Sequence, residues 1–277
     1  PGPRVTPAAA PAPETGPYTI PDLIHDIHGF LDAHLSPFGL IEGIGRKLRR
    51  ALRNPRLLTA LRQSAEAHGV RIEEHAELTG WQVSGPRVEK ISTRRGDFSA
   101  DIYVVCAGAW SRPVLGPHAQ EIAIEPVRGQ MLLFRVEPGA LPCIVLQNGT
   151  YLIPRRDGHV LAGSTLEYSG YDKGVTAEAR AALLARAQSM FPQLGPERLL
   201  TQWSGLRPGS PNNIPTVARH PQLKNLYLNS GHFRYGVTMA PGSARLLANL
   251  IFDRPQPMDM APYGWPTSRP KVSEAAV

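Results

Sequence analysis

The sequence predicts an α+β fold in which an α/β unit is interrupted by an antiparallel sheet. Three observations predict it. Residues 54–115 combine a helix with strand-like apolar runs. Residues 124–165 then break into short strands separated by Pro138–Gly139, Asn148–Gly149 and Asp157–Gly158, pairs that favour tight turns. Residues 226–252 return to α/β character with a strand, a glycine-bounded loop and a helix. The expected organisation is a tail over 1–20, an atypical helical segment over 21–53, a discontinuous α/β domain over 54–115 and 200–264, an inserted antiparallel-sheet domain over 116–199, and a second tail over 265–277.

In chain order, the proline- and alanine-rich start (PGPRVTPAAAPAPETGP) favours extended, disordered chain. DLIHDIHGFLDAHL places Leu23, Ile27, Phe30, Leu31 and Leu35 at helical spacing. Its His25, His28 and His34 lack an evident further ligand, so a metal is not expected. Asn54 reads as an N-cap with Pro55 at the first helical position, Leu57, Leu58, Leu61 and Ala65 as a stripe, and Gly69 as the stop. Strands are expected at 70–78, 87–93 and 99–108, with a hairpin turn at Ser84–Gly85–Pro86; the third, near-continuously apolar, is expected to be central and covered on both faces. Within the interrupting sheet, MLLFRV, CIVLQ, TYLIPR and HVLAGST read as an antiparallel meander. Thr176 caps a helix with Glu178 in its first turn and a stripe of Ala179, Leu183, Ala187 and Met190. LYLNS is a strand, GHFRYG a loop, and SARLLANLIF a helix.

Of 277 residues, 42% are apolar and 19% charged, which excludes a largely disordered chain. Lys and Arg number 30 against 23 Asp and Glu, a net charge of 30 − 23 = +7. The basic residues are scattered, with clusters only at Arg46–Arg53 and Arg94–Arg95 and no interleaved aromatic stripe, so no nucleic-acid partner is expected. No run reaches the roughly 20 apolar residues of a membrane span, and the N-terminus lacks a basic-then-apolar leader, so no membrane association and a cytoplasmic location are expected. Cys106 and Cys143 sit in apolar runs and read as buried thiols in a reducing compartment.

Three constellations carry candidate chemistry. GHFRYGVTMAPGSARLLANLI (231–251) is a glycine-bounded loop entering a helix, whose N-terminal N–H groups can bind an anion; the plain alternative is an ordinary strand–helix turn. WSGLRPGSPNNIP (203–215) holds Arg207 between glycine and proline, suited to two-pronged carboxylate capture, or simply a surface arginine. Tyr151 opens a strand that could point into a cleft, or pack half-buried. A nucleophile elbow, a Walker loop and a GxGxxG turn after a strand are all missing from the chain.

Taken together, RNPRLLTAL, VVCAGAWS, PVRGQMLLF, YLIPRRDGHVLAGSTLE, WSGLRPGSPNNIP, GHFRYG and APYG resemble the FAD-dependent D-amino-acid oxidase superfamily, and within it the glycine oxidases of thiamine thiazole synthesis, over roughly residues 51–264. The resemblance implies an FAD-binding α/β domain, here truncated, with an inserted antiparallel-sheet substrate domain. It implies oxidation of glycine or a similar small amino acid to the imine, with oxygen reoxidising the flavin. Arg207 would pair with the substrate carboxylate, Tyr151 would donate to it, and Arg234 would stand beside it. His232, Phe233, Arg234, Tyr235, Gly236, Val237 and Thr238 would lie along the flavin ring; Leu78, Ala107 and Gly108 would touch the nucleotide half. No protein side chain is implied as an acid or base, since positioning carries most of the work.

The sequence departs from the family pattern at Tyr235, where Asn is usual, and at Ala218, where Gly is usual. LNSGH and GVTMAPGS also echo D-amino-acid dehydrogenases. The first strand, the GxGxxG turn and the ribose-binding acid are missing from residues 1–50. That leaves three alternatives: a truncated chain, a partner chain supplying the nucleotide-binding half, or a cofactor-deficient remnant. In each, the parallel sheet should be short, with an exposed edge. Sibling enzymes imply self-association as a homo-oligomer.

Overall fold

The computed structural model describes residues 54–266. The expected tails, the helical segment 21–53 with its three histidines, and the Arg46–Arg53 cluster lie outside the described residues. The chain divides into two units, the first ending at Ile72 and the second beginning at Glu73.

The described part of the first unit is helix α1 (Asn54–Ala67) and the turn after it. Gly69 adopts φ +81°. Its N–H donates to the Glu66 carbonyl at 3.0 Å and the Val70 N–H to the Ala65 carbonyl at 3.0 Å, the paired closure that left-handed glycine permits. The expected leucine stripe is not buried: Leu58 is 66% exposed.

In the second unit the strand expected at 70–78 starts only where that stretch ends. His75 takes φ +59°, which breaks the extended run, and pairing begins at Leu78 opposite Thr93. Strands β1 (Leu78–Ser84) and β2 (Arg87–Thr93) form the expected hairpin through Gly85, and β3 (Gly96–Phe98) adds to β2. Asn225 joins this sheet to the next: its side chain accepts from the Val88 N–H at 2.9 Å and donates to the Val88 carbonyl at 2.8 Å.

The run at 99–108 yields only β4 (Tyr103–Val105), which pairs in parallel with a later strand and stands at the edge of a three-stranded sheet among the described residues. Tyr103 and Val105 enter a core with Leu115, Ile122, Leu226 and Leu228, whereas Ile102 and Val104 are 39% and 40% exposed. The expected central strand, covered on both faces, is therefore corrected to a half-covered edge strand. The two cysteines are corrected as well. Cys106 follows the strand end and Cys143 lies ahead of a three-residue strand; both are exposed.

A short helix α2 (Ser111–Leu115) leads to β5 (Glu125–Arg135), β6 (Val145–Gln147), β7 (Thr150–Pro154) and β8 (His159–Gly163). The β6–β7 turn has φ +47° at Asn148 and +74° at Gly149, which matches the twist of a two-residue hairpin. The meander is right for β6 to β8 and wrong for β5. After helix α3 (Ala177–Met190) comes β9 (Leu199–Gly209), and the sheet order is β6-β7-β8-β5-β9. The 11-residue β5 is long enough to pair along both sides, with β8 and with β9, and so takes an interior position.

Helix α3 covers one face of this sheet. Leu183 and Ala187 pack with Leu132, Phe134, Leu152, Val160 and Ala162. Its cap forms as expected, Thr176 Oγ1 accepting from the Ala179 N–H at 3.2 Å. Strands β10 (Thr216–Arg219) and β11 (Leu226–Ser230) complete the edge-strand sheet. Helix α4 (Gly236–Ile251) begins seven residues before the expected Ser243 and contains Pro241. A proline this near the N-terminus removes one donor without ending the helix.

His220 buttresses this region. Its Nδ1 accepts from the N–H groups of Gln222 (3.1 Å) and Leu223 (3.0 Å), and its Nε2 faces the His118 carbonyl at 3.0 Å. These partners require the neutral ring with its proton on Nε2. Burial holds its pKa below the ordinary histidine value. The unfolded chain therefore takes up a proton first as pH falls through about 6.5, so this contribution to stability is whole above that value and declines below it. Denaturant midpoints should fall between about pH 7 and 5, and less so in His220→Gln, which is weaker throughout. Parallel pH profiles for the two proteins would contradict the assignment.

Candidate active site

The face of the five-stranded sheet opposite α3 carries the candidate site. Alternation along β5 sends Arg128, Gln130, Leu132 and Phe134 to one side and Val127, Gly129 and Met131 to the other. Arg207 in β9 pairs with Val127, and Gly205 with Gly129. Tyr151 in β7 lies opposite Gly163 of β8, its hydroxyl 3.8 Å from Met131 Sδ.

The three expected substrate residues come together. Burial lowers the Arg207 pKa, the Tyr151 hydroxyl raises it, and the positive charge of Arg234 lowers it again, so both neighbours act directly on this guanidinium. Arg207 donates from Nη2 to Ser164 Oγ at 2.6 Å and from Nη1 to the Thr165 carbonyl at 3.2 Å. A guanidinium has five N–H donors, so others remain for a ligand. Arg234 is exposed, its guanidinium carbon 5.4 Å from the Phe233 ring centre.

The glycine-bounded loop is fastened to the same strand end. The Phe233 N–H donates to the Pro208 carbonyl at 3.1 Å, and Ser210 Oγ donates to the Gly231 carbonyl at 2.5 Å. Phe233 itself takes φ +46°. Ser111 Oγ lies 2.7 Å from Ser230 Oγ, and the two hydroxyls lie 2.8 and 3.2 Å from the Gly108 carbonyl, a shared network that brings Ala107–Gly108 to the foot of this loop. Leu78 stands apart, opposite Thr93 in the separate β1–β2–β3 sheet. His232 Nε2 is 2.7 Å from Ser243 Oγ, and burial keeps its pKa low. Thr238 turns back to donate to the Tyr235 carbonyl at 2.9 Å. Tyr235 and Val237 are exposed, and no side chain caps the first turn of α4, which begins at Gly236. Uncapped N–H groups at a helix N-terminus present donors and partial positive charge.

That donor set fits the electron-rich edge of a flavin ring. Above Gly108, where φ is +55°, a Cβ would meet nothing within 4 Å, which leaves room for a ligand against the backbone. Among the described residues, no strand is followed by a GxGxxG turn that would receive a pyrophosphate. The described residues thus offer donors suited to the ring end of FAD.

Several functional neighbours escape sequence reasoning. Behind Arg207, the Thr165 hydroxyl donates to Glu167, whose Oε2 accepts from Arg128 Nη2 at 2.6 Å and Nε at 2.9 Å. Arg128 also reaches Asp172 at 2.5 Å and the Gly174 carbonyl at 3.1 Å. Burial alone would raise the Glu167 pKa, but Thr165, Arg128 and Gln130 together hold its carboxyl below the usual range. Gln130, fully buried, donates to Glu167 Oε1 at 2.9 Å and accepts from the Thr176 N–H at 2.9 Å and Gln202 Nε2 at 2.8 Å. The available signal was Arg128 and Gln130 at alternate positions inside a strand whose other interior residues are uncharged, with Glu167 closing the GSTLE motif.

Among the described residues, none of the His, Cys, Asp and Glu side chains form a group of three or more that could hold a metal ion, and no helix is long and apolar enough to cross a membrane. The mixed α/β architecture, in which the loop entering α4 is bonded to Pro208 beside Arg207 at the end of β9, is the fold class of the FAD-dependent oxidoreductases. Residues 39–250 match the family DAO, FAD dependent oxidoreductase, and the chain belongs to that family. It is 42% identical over 235 residues to the glycine oxidase of Pseudomonas aeruginosa, covering 82% of this chain and 65% of that protein. It is 35% identical over 206 residues to the bifunctional protein ThiO/ThiG of Synechocystis sp., covering 73% and 30%. The crystal structure of glycine oxidase from Geobacillus kaustophilus superposes with a TM-score of 0.71 at 27% identity, covering 77% of this chain and 58% of that one. The chain therefore spans less than two thirds of the length of these relatives.

Proposed function

We propose that this chain forms the substrate site and the flavin-ring face of an FAD-dependent oxidase acting on glycine or another small amino acid. The observation that carries the reading is Arg207: a partly buried guanidinium braced by Ser164 and Thr165, with Tyr151 and Arg234 acting on it and donors left over. In this reading Arg207 and Tyr151 bind the carboxylate and Arg234 adds positive charge beside it. Holding the carboxylate orients the α-carbon, which accounts for most of the rate in a reaction that needs little acid–base help from the protein. FAD, when bound, would supply the two-electron oxidation: a hydride would leave the α-carbon and an amine proton would pass to solvent to give the imine, and oxygen would take up the two electrons with two protons as hydrogen peroxide. The N-terminus of α4 and the 231–235 loop bind along the ring, and Ala107–Gly108 lie toward the nucleotide half.

Residues 116–199 form the substrate domain together with β9, which pairs with β5 in the same sheet, so the boundary expected at 199/200 moves to the end of β9, and 54–115 with 210–264 belong to the FAD-binding domain. In this reading a strand–GxGxxG segment outside the described residues completes the cofactor site. The similarity to ThiO/ThiG supports a place in thiamine thiazole synthesis. The reading is tested by adding FAD and then glycine, sarcosine or D-alanine to the purified protein and following peroxide. Glycine-dependent peroxide is expected. Flavin reduction that reaches a quinone but never oxygen would make it a dehydrogenase. A protein that stays colourless with FAD, yet still binds small carboxylates, would make it a cofactor-deficient subunit.

A further inference from the structure

We infer that Gly129 is the positioning residue for Arg207: its missing side chain is the slot through which the guanidinium crosses β5. The inference rests on the reading of Arg207 as the carboxylate-binding group. Arg207 stands in β9, but its two hydrogen-bond partners, Ser164 and Thr165, follow β8, and β5 runs between the two strands. Strands one apart are about 4.8 Å from each other, so the side chain must span roughly twice that, lying flat over β5. On the site face of β5 it meets Val127 opposite its own Cα and Gly129 two residues on. A Cβ built on Gly129 would overlap Nη1, Cζ and Nη2 of Arg207. No turn explains this glycine: it lies mid-strand, buried, at no positive φ, where glycine ordinarily weakens a sheet. Its cross-strand partner Gly205 supplies a control, since a Cβ there would meet nothing within 4 Å.

The clash is with the far end of a flexible side chain, so Gly129→Ala should move the guanidinium and leave the sheet standing. The test uses the full chain with added FAD, and compares wild type, Gly129→Ala and Gly205→Ala. Reaction of Arg207 with an arginine-selective dicarbonyl, read by peptide mass spectrometry, should quicken several-fold in Gly129→Ala and stay at the wild-type rate in Gly205→Ala. Calorimetric affinity for glycolate should fall roughly 10-fold or more in Gly129→Ala alone. Should Gly129→Ala not fold, Arg207→Ala in the same chain should restore folding, because it removes the overlapping atoms. An unchanged labelling rate in folded Gly129→Ala, or a double variant that remains unfolded, overturns the inference. If wild type takes up no glycolate while labelling behaves as expected, the carboxylate reading fails and the positioning of Arg207 by Gly129 stands.

Discussion

Arg207→Ala lowers the affinity for glycolate by roughly 10- to 100-fold, the worth of a charge-assisted hydrogen bond in a partly desolvated site. The melting temperature changes little, because Ser164 Oγ and the Thr165 carbonyl lose a donor at positions that are only half-buried. Arg207→Lys recovers only part of the loss: an ammonium keeps the charge but cannot donate to Ser164, Thr165 and a carboxylate in one plane. Glycolate binding by Arg207→Ala at the wild-type level would remove the assigned role. The pair of variants also separates charge from geometry, since Arg234 continues to supply positive charge in both.

Gln130→Leu lowers the melting temperature by roughly 10 °C, from about 2–4 kcal/mol of unsatisfied polar groups. The leucine fills a similar volume, so the loss is polar rather than a cavity. It orphans the Thr176 N–H and removes one of the partners that hold Glu167 and Gln202. Thr176 is also the cap of α3, so the helix that covers the sheet frays at that end. Glu167 in turn holds the Thr165 hydroxyl, so Ser164–Thr165 loosen and glycolate affinity drops along with stability. Thermal denaturation and calorimetry on the same preparation check both effects. A melting shift below about 2 °C would show that the network contributes little to the fold.

Much of the local structure was legible because it depends on neighbours in sequence. Asn148–Gly149 makes a two-residue turn wherever it falls between strands, Thr176 caps the helix that follows, and Gly69 closes α1 by its own left-handed backbone. The approach of Arg207, Tyr151 and Arg234 was expected through resemblance, and the structure brings them together through β7, β9 and the 231–235 loop. Leu78, expected beside the nucleotide half with Ala107 and Gly108, lies in another sheet, where β1 pairs with β2. The apolar run at 99–108 misled, since a hydrophobic stretch reports capacity for burial and not the number of faces covered. The cysteines misled for the same reason: each lies just outside the residues that pair.

The amino-acid sequence by itself determined most elements of this protein, the interruption of an α/β unit by an antiparallel sheet, and the groups proposed to grip a small carboxylate. Only the tertiary structure decided that β5 runs between β8 and β9, that Gly129 leaves the opening over which Arg207 lies, and that Arg128, Gln130 and Glu167 brace its partners. The reason is physical. Turns and caps are set by backbone torsions of adjacent residues, whereas strand order and the crossing of one side chain over another strand depend on which distant segments pair, and periodicity along one segment carries no record of its partner.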